Sequence, residues 1–380
     1  PFRIIAHNGE INTLKGNKNW MAAHEPRMSH INFGKDIDDL KPIIDQSASD
    51  SAALDSTIEL LVRSNRNLPM AKLMTIPEAF AHRKDFSKKL KDLYAYANAV
   101  LESWDGPAAI CGVHDKWAIA GMDRNGLRPI RYTLTKDFIV AGSETGMVEI
   151  DESEILQRGR VGPGQMIAIN FEEGKFYNDA EIKNKLSQSK PFGDWTKKIT
   201  HIDKLVESVD EEFREIDQSI LRKRMATFGW TIEDLELILH PMIAEGKEAT
   251  GSMGDDTPLA VLSDEYRGLH HYFRQNFSQV TNPPIDSLRE RVVMSLRTRI
   301  GNLSNILDED QSQCDHLQLN SPVLSINQFK TMRQYMKNTV KIIDTTMNID
   351  IKNYSFAHEL KRINEEAEQA VRSGFVHIIL

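Results

Sequence analysis

The first seventeen residues, Pro1-Phe-Arg-Ile-Ile-Ala-His-Asn-Gly-Glu-Ile-Asn-Thr-Leu-Lys-Gly-Asn17, are the most informative stretch of the chain. They begin with an apolar run typical of a strand interior and become polar at Asn8-Gly9. An Asn-Gly pair can place a side-chain amide N–H beside a backbone N–H, and two converging donors suit an oxyanion formed by attack on a carbonyl. The alternative is a type I′ hairpin turn, for which Asn-Gly is a strong signal. On the dipeptide alone, the turn is the favoured interpretation.

Composition limits the possible classes of protein. The chain has 380 residues, 47 Lys and Arg against 55 Asp and Glu, a formal net charge of −8 and a 40% hydrophobic share. This length and apolar content predict two or three domains with full-sized cores. The acidic balance argues against a nucleic-acid partner, and no apolar stretch approaches the roughly 20 residues of a membrane span. Two cysteines cannot form a disulfide framework, so we expect a reduced, cytoplasmic protein.

Hydrophobic periodicity divides the chain into a mixed first half and a helix-rich second half. It predicts helices over 52–62, 70–82 and 88–101, then antiparallel strands over 108–113, 117–121, 138–141, 165–171 and 175–177. A polar run over about 180–200 suggests a boundary. Beyond it we predict helices over 231–239, 284–296 and 355–373. Because Gly374 and the apolar run 375–380 follow the last helix, the end of the chain resembles an α/β unit.

Three further segments are candidates for a site. Asp50 follows Ser47-Ala-Ser at a predicted helix start, where its carboxylate could bind a substrate ammonium or simply cap the helix. Trp104-Asp-Gly-Pro107 and Asp123-Arg-Asn-Gly-Leu-Arg-Pro129 contain residues typical of turns. Arg124 and Arg128 of the last segment could contact an anion or pair with an acid on the same surface.

Other motifs favour structural interpretations. Gly159-Arg-Val-Gly-Pro-Gly164 precedes a strand and does not open a helix, so it does not fit a phosphate loop. The glycine-rich 251–256 stretch is more typical of a turn than of a metal loop. His240 and the pair His270-His271 lack metal-ligand spacing. Cys111 is predicted to be a buried strand residue, and acidic neighbours are expected to raise the pKa of Cys314.

The order of the segments is more specific than any one of them. After residues 1–17 come Gln46–Asp55, Trp104–Ala109, Gly121–Tyr132, Gly142–Glu144, Phe228–Thr231, Gly246–Ser263 and Gln279–Asp286. Together they resemble the large subunits of the glutamate synthase family. The resemblance implies a class II glutamine amidotransferase domain of the αββα, N-terminal-nucleophile type over 1–195. It also implies a connection over 196–225 and part of a central α/β domain over 226–380.

The resemblance also implies roles for individual residues. Asn8 and Gly9 match the oxyanion-hole pair, and Asp50 matches the acid that holds the α-amino group of glutamine. In the family an N-terminal cysteine attacks the glutamine amide. Ammonia then reaches a second site, where 2-oxoglutarate is aminated and reduced on FMN fed by an iron–sulfur cluster. Electrons come from NADPH through a small subunit, from NADH, or from ferredoxin, and the sequence leaves that choice open.

The sequence departs from this pattern at the nucleophile. Residue 1 is Pro, and neither cysteine lies in a matching segment. Because both ends lie inside strand-like runs and the cluster cysteines and FMN domain are absent, we expect an internal fragment that releases no ammonia alone. One alternative is a regulatory or scaffold protein built from a catalytically dead amidotransferase domain. Another is a different class II amidotransferase, which the segments over 228–286 argue against.

Overall fold

The computed structural model describes residues 2–80, 83–206, 217–246, 295–301, 303–347 and 355–380. The chain divides into two units. One contains residues 1–207 together with 294–380, and the other contains residues 208–293. All of the candidate site residues lie in the larger unit.

Ten α-helices and thirteen strands lie in the described residues. The helices are α1 Leu14–His24, α2 Asp50–Arg63, α3 Leu68–Thr75, α4 Lys88–Val100, α5 Asp179–Ser187, α6 Phe192–Trp195, α7 Gln218–Thr227, α8 His240–Glu245, α9 Ile326–Met336 and α10 Phe356–Arg372. The strands are β1 Ile5–Gly9, β2 Ala108–His114, β3 Trp117–Met122, β4 Arg131–Thr135, β5 Ile139–Gly142, β6 Ile155–Arg160, β7 Met166–Asn170, β8 Lys175–Tyr177, β9 Thr200–His201, β10 Thr298–Ile300, β11 Leu317–Leu319, β12 Val340–Ile342 and β13 His377–Ile379.

The first half contains two antiparallel sheets. The larger has the order β1-β2-β3-β7-β8, and the smaller has the order β5-β4-β6. The predicted hairpin over 108–121 is confirmed, with His114 facing Trp117 across its turn. The antiparallel pairing of β2 with β3, of β4 with β5 and of β7 with β8 follows from their short connections, which leave no room for helical crossovers.

The sheets and helices form layers around two cores. One face of the larger sheet presents Ile110, Ile119 and Met166 to a core shared with α2, α3, α4 and α5. The opposite face presents Ala120 and Ile167 to the smaller sheet, against Tyr132. Within the described residues the order of layers is therefore helices, sheet, sheet. The class II amidotransferase fold predicted from sequence contains these layers.

Helix α2 is tied to β1 by one carboxylate. Asp55 is 4% exposed and accepts hydrogen bonds from three backbone N–H groups, those of Arg3 at 2.8 Å, Ile4 at 3.0 Å and Ile5 at 2.8 Å. Ladder bonds to β2 occupy the other side of β1. A carboxylate is the acceptor best suited to several donors at once. This contact fixes the position of α2 along the strand.

The second half begins inside what was predicted to be a connection. β9 pairs in parallel with β11, and Ile202 lies in a core with Leu317 and Met332. Thr200 and His201 therefore belong to a small sheet of order β10-β11-β9, and Ile202 packs beside it. The preceding polar run over 180–200 is also folded, because Ile182 and Phe192 are buried in the main core.

The end of the chain is a β-α-β unit. β12 and β13 pair in parallel, and α10 lies between them in the chain. Gly374 follows α10 with φ of +89°, a conformation that glycine adopts at little cost. The helix, glycine stop and strand predicted over 355–380 are confirmed.

The smaller unit is described over residues 217–246. It consists of α7, a π-helical segment over Asp234–Leu239, and α8. Thr231 and Asp234 exchange capping hydrogen bonds at the start of the segment predicted to be helical over 231–239. Most of the helix predicted over 284–296, the 251–256 stretch and His270-His271 lie outside the described residues. In the part of the chain that the structure describes, no helix is long and apolar enough to cross a membrane.

We predict that Asp55→Ala lowers the free energy of unfolding by about 3 kcal/mol or more, because three N–H groups lose their acceptor. Asp55→Asn should cost less, since its amide oxygen can still accept. Urea denaturation followed by circular dichroism measures both. Asp194→Asn, which removes an exposed ion pair with Lys197, is the matched control and should leave the midpoint unchanged. Equal midpoints for Asp55→Ala and the control would contradict the role of Asp55.

Candidate functional site

Asn8 and Gly9 are the last two residues of β1. They face Ala109 and Ala108 of β2, with Pro107 just beyond the end of the pair. The hairpin-turn interpretation is therefore wrong, because β1 pairs with a strand that lies far from it in the chain. Among the described residues, the exposed side chain of Asn8 has no hydrogen-bond partner. Its amide N–H is free to meet a ligand at the strand end.

The loop after β1 is pressed against the loop before β2. Glu10 N–H donates to the Pro107 carbonyl at 2.9 Å, and Asn12 N–H donates to the Asp105 carbonyl at 2.7 Å. A Cβ on Gly9 would lie 1.8 Å from the Pro107 oxygen, and one on Gly106 would lie 2.0 Å from the Glu10 oxygen. Only glycine fits at either position. The motif over 104–107, predicted as a simple turn, is therefore a wall of the candidate site.

Asp50 is brought to the same loop by helix α2. It is the first residue of the helix, and its Oδ2 accepts the Ile11 N–H at 2.8 Å. The cap is provided by Ser49, whose Oγ accepts the Ala52 N–H at 3.2 Å. The interpretation that Asp50 serves only as a cap is therefore wrong. Through this hydrogen bond the carboxylate meets the loop at Ile11, two residues beyond Gly9.

The ionisation state of Asp50 is suited to binding a cation. Partial burial by itself would raise the pKa of the Asp50 carboxyl, but the hydrogen bonds from Ile11 and Ser51 and the nearby His7 outweigh burial. The pKa is lowered as a result, so the group is an anion at neutral pH. A carboxylate fixed to the loop that follows Asn8-Gly9 can bind an ammonium, and the free amide of Asn8 can meet a carbonyl oxygen.

A histidine lies behind Asp50. His7 Nδ1 is 2.5 Å from Ser51 Oγ, and Ser51 Oγ is 3.3 Å from Asp50 Oδ1. Burial lowers the pKa of His7, and the charge of Arg128 lowers it too, whereas Asp50 acts in the opposite direction. His7 is therefore neutral at pH 7. Arg128, predicted to contact an anion or an acid, is near enough to act on this histidine.

Arg124 has a structural partner. Its Nε and Nη2 donate to Asp105 Oδ1 at 2.9 Å and Oδ2 at 2.8 Å, a bidentate pair that is partly buried. Asp123 accepts the Ala108 N–H at 3.0 Å and the Asn125 N–H at 2.8 Å. The segment 123–126 thus supports the wall over 104–107. Of the two predicted possibilities for Arg124, an anion or an acid on the same surface, the structure shows the pair with an acid.

The cysteines do not join this site. Cys111 lies on β2 against the second core, where burial raises its pKa. Cys314 is fully buried, and its pKa is raised to about 11. The direction for Cys314 matches the prediction, but burial is the cause and not the acidic neighbours. The described residues contain no cluster of His, Cys, Asp or Glu that could hold a metal ion.

Sequence reasoning missed the residues that hold the site together. Asp55 ends the family-like segment Gln46–Asp55, but its hydrogen bonds to β1 have no local signal. His7 and Ser51 each stand beside a predicted site residue, Asn8 and Asp50. Their contact joins residues 44 positions apart, which no spacing rule reveals.

Comparison with known proteins assigns the chain to a family. Residues 1–195 match the model of class-II glutamine amidotransferases, and residues 223–380 match the model of the glutamate synthase central domain. The chain belongs to the class-II glutamine amidotransferase family. The presence of both models confirms the resemblance to the large subunit of glutamate synthase.

Two glutamate synthases agree with this assignment. The NADPH glutamate synthase large chain of Azospirillum brasilense is 55% identical over all of this chain and 25% of its own length. The ferredoxin-dependent glutamate synthase of Pyropia yezoensis is 38% identical, over 98% of this chain and 24% of its own. A solved Bacillus subtilis glutamine phosphoribosylpyrophosphate amidotransferase, complexed with ADP and GMP, is 23% identical with a TM-score of 0.26. The match covers 46% of this chain and 28% of the amidotransferase chain. The chain spans about a quarter of the length of these two glutamate synthases.

We predict that Gly106→Ala lowers the free energy of unfolding by about 2 kcal/mol or more, because the new methyl group overlaps the Glu10 carbonyl oxygen. Thermal unfolding followed by circular dichroism measures the effect. The matched control is Gly16→Ala in α1, where a Cβ meets no atom within 4 Å. That variant should be up to about 1 kcal/mol more stable, since alanine favours helix. A Gly106→Ala variant as stable as the control would rule out the close approach of the two loops.

Proposed function

We propose that residues 1–195 form the oxyanion-stabilising and ammonium-binding part of a glutaminase site in a glutamate synthase. The observation that carries the proposal is the Asp50 carboxylate held by the Ile11 N–H, two residues beyond Gly9 and three beyond Asn8, whose side-chain amide is exposed and free among the described residues. Asn8 and Gly9 stabilise the oxyanion formed on the glutamine amide, and Asp50 binds the α-amino group. Two fixed contacts orient the substrate and lower the entropy cost of reaction.

The complete reaction requires parts outside these residues. In the proposed enzyme a cysteine supplied from elsewhere attacks the amide, and the ammonia released aminates 2-oxoglutarate. The described residues do not fit an iron–sulfur cluster, which takes four ligands, because their two cysteines lie in separate parts of the unit. FMN, the cluster, and a small subunit or ferredoxin as electron donor are proposed for the remainder of the longer enzyme.

A scaffold role predicts a different site. A catalytically dead domain needs no ionised carboxylate beside an unpaired amide, whereas both are present here. The enzyme interpretation is therefore favoured.

We predict that the 380-residue chain alone releases no ammonia from glutamine, because no cysteine accompanies Asn8, Gly9 and Asp50. A coupled assay for ammonia, run beside the full-length enzyme as the positive control, measures this. Steady turnover by the 380-residue chain would disprove the statement that its nucleophile lies elsewhere.

We predict that Asp50→Asn in the full-length enzyme lowers kcat/KM for glutamine by about 10- to 100-fold, since an ammonium loses its charged partner. The amide that replaces the carboxylate carries no charge, whereas the fold is retained because Ser49 still caps α2. Steady-state kinetics with glutamine measures the loss. Asp194→Asn is the control on the surface. If Asp50→Asn kept the wild-type kcat/KM, Asp50 would have no part in binding glutamine.

A further inference from the structure

The segment 7–11 holds the Asp50 carboxylate through two contacts, one direct and one through Ser51. Its Oδ2 accepts the Ile11 N–H at 2.8 Å, and its Oδ1 is 3.3 Å from Ser51 Oγ, which in turn lies 2.5 Å from His7 Nδ1. His7 and Ile11 flank Asn8-Gly9 in the chain. The two contacts therefore fix the carboxylate relative to the Asn8-Gly9 pair and not merely relative to its own helix.

The direction of the hydrogen bonds follows from the donors available. Ser51 has one O–H, and donating it to the anionic Asp50 leaves its oxygen to accept. His7 Nδ1 must then carry the proton and donate it to Ser51 Oγ. His7 Nε2 is left as a bare acceptor, and in the described residues it is buried with no partner.

A buried, unpaired Nε2 disfavours the charged ring. Protonation would bury an N–H without an acceptor, which is costly. Asp50 favours the imidazolium electrostatically, whereas burial and Arg128 oppose it and lower the pKa of His7. The neutral ring donates through Nδ1 in a fixed direction, as a positioning group requires.

We propose that His7 is a positioning residue, which acts through Ser51 to orient the Asp50 carboxylate toward the α-amino group of the substrate. This inference rests on the proposed function of Asp50. His7 does not touch the substrate; it sets the rotamer of the group that does. Its loss should weaken recognition of the amino group and leave recognition of the rest of the substrate unchanged.

The test compares two inhibitors of glutamine hydrolysis by the full-length enzyme. L-Glutamate carries the α-amino group, and glutarate lacks it, so the ratio of their inhibition constants measures recognition of that group alone. We expect His7→Leu and Ser51→Ala each to lower the preference for L-glutamate by about 5- to 20-fold, with glutarate inhibition unchanged. His7→Asn, whose side-chain amide can donate from near the Nδ1 position, should restore most of the preference. The double variant should be no worse than either single one, since both break the same contact.

His114→Leu, at the distant end of β2, is the matched histidine control. Equal weakening of both inhibitors in His7→Leu and Ser51→Ala would overturn the proposal, because a general structural role predicts that result. Unchanged inhibition in both variants would overturn it as well. Ser51→Ala keeps the test decisive if His7→Leu does not fold. Failure of the proposed function looks different: the wild-type enzyme would show no preference for L-glutamate, or Asp50→Asn would leave that preference intact.

Discussion

The three hydrogen bonds from the backbone of Arg3, Ile4 and Ile5 to the Asp55 carboxylate are the constraint on which the site depends. Ile5 is the first residue of β1, an edge strand whose outer N–H groups have no partner in the sheet, and Arg3 and Ile4 lie just before it. The Asp55 carboxylate, on α2, accepts the hydrogen bonds of these N–H groups and so fixes the position of α2 along β1. Because Asp50 lies five residues earlier on the same helix, that position decides whether Asp50 reaches Ile11.

The same helix is held at its other end by the second half of the chain. Arg66, 4% exposed, follows α2 and donates to the carbonyl oxygens of Ile306 at 2.8 Å and Asp308 at 2.9 Å. Helix α2 is 14 residues long, so about 21 Å of rigid backbone separates this clamp from Asp50. Three anchors, at the start, the middle and just after the end of one helix, leave little freedom for the site carboxylate.

Sequence alone was sufficient for elements whose signals are local. The helix start at Ser49, the hairpin over 108–121 and the final helix and strand depend on caps, turns and periodicity within a few residues.

Sequence reasoning failed where a partner far away in the chain decides the structure of a segment. Asn8-Gly9 has the local signal of a turn, but pairing with β2 overrides it. The polar run over 180–200 predicts a boundary, yet its apolar residues, among them Ile182, Leu186 and Phe192, pack into the main core. Asp50, Asn8 and Gly9 could be named from their family pattern. Their supports, Asp55, Ser51 and His7, could not, since each contact joins β1 to α2 across more than forty residues.

The core does not follow the division between the two family models. Ile306, Leu307 and Cys314 belong to the part matched by the glutamate synthase central domain, yet they are buried in the main core of the amidotransferase part. Glu102 joins the two parts, because it accepts from Arg299 Nη2 at 2.7 Å and lies 3.0 Å from His24 Nε2. The buried guanidinium of Arg66 donates to the neutral carbonyl groups of residues 306–308 and to the Ser64 hydroxyl. Withdrawing that loop would remove most of these acceptors from a cation in a dry core, at a cost well above that of a surface contact. The amidotransferase part therefore needs the loop to complete its own interior, and the two halves of the larger unit are one folding unit.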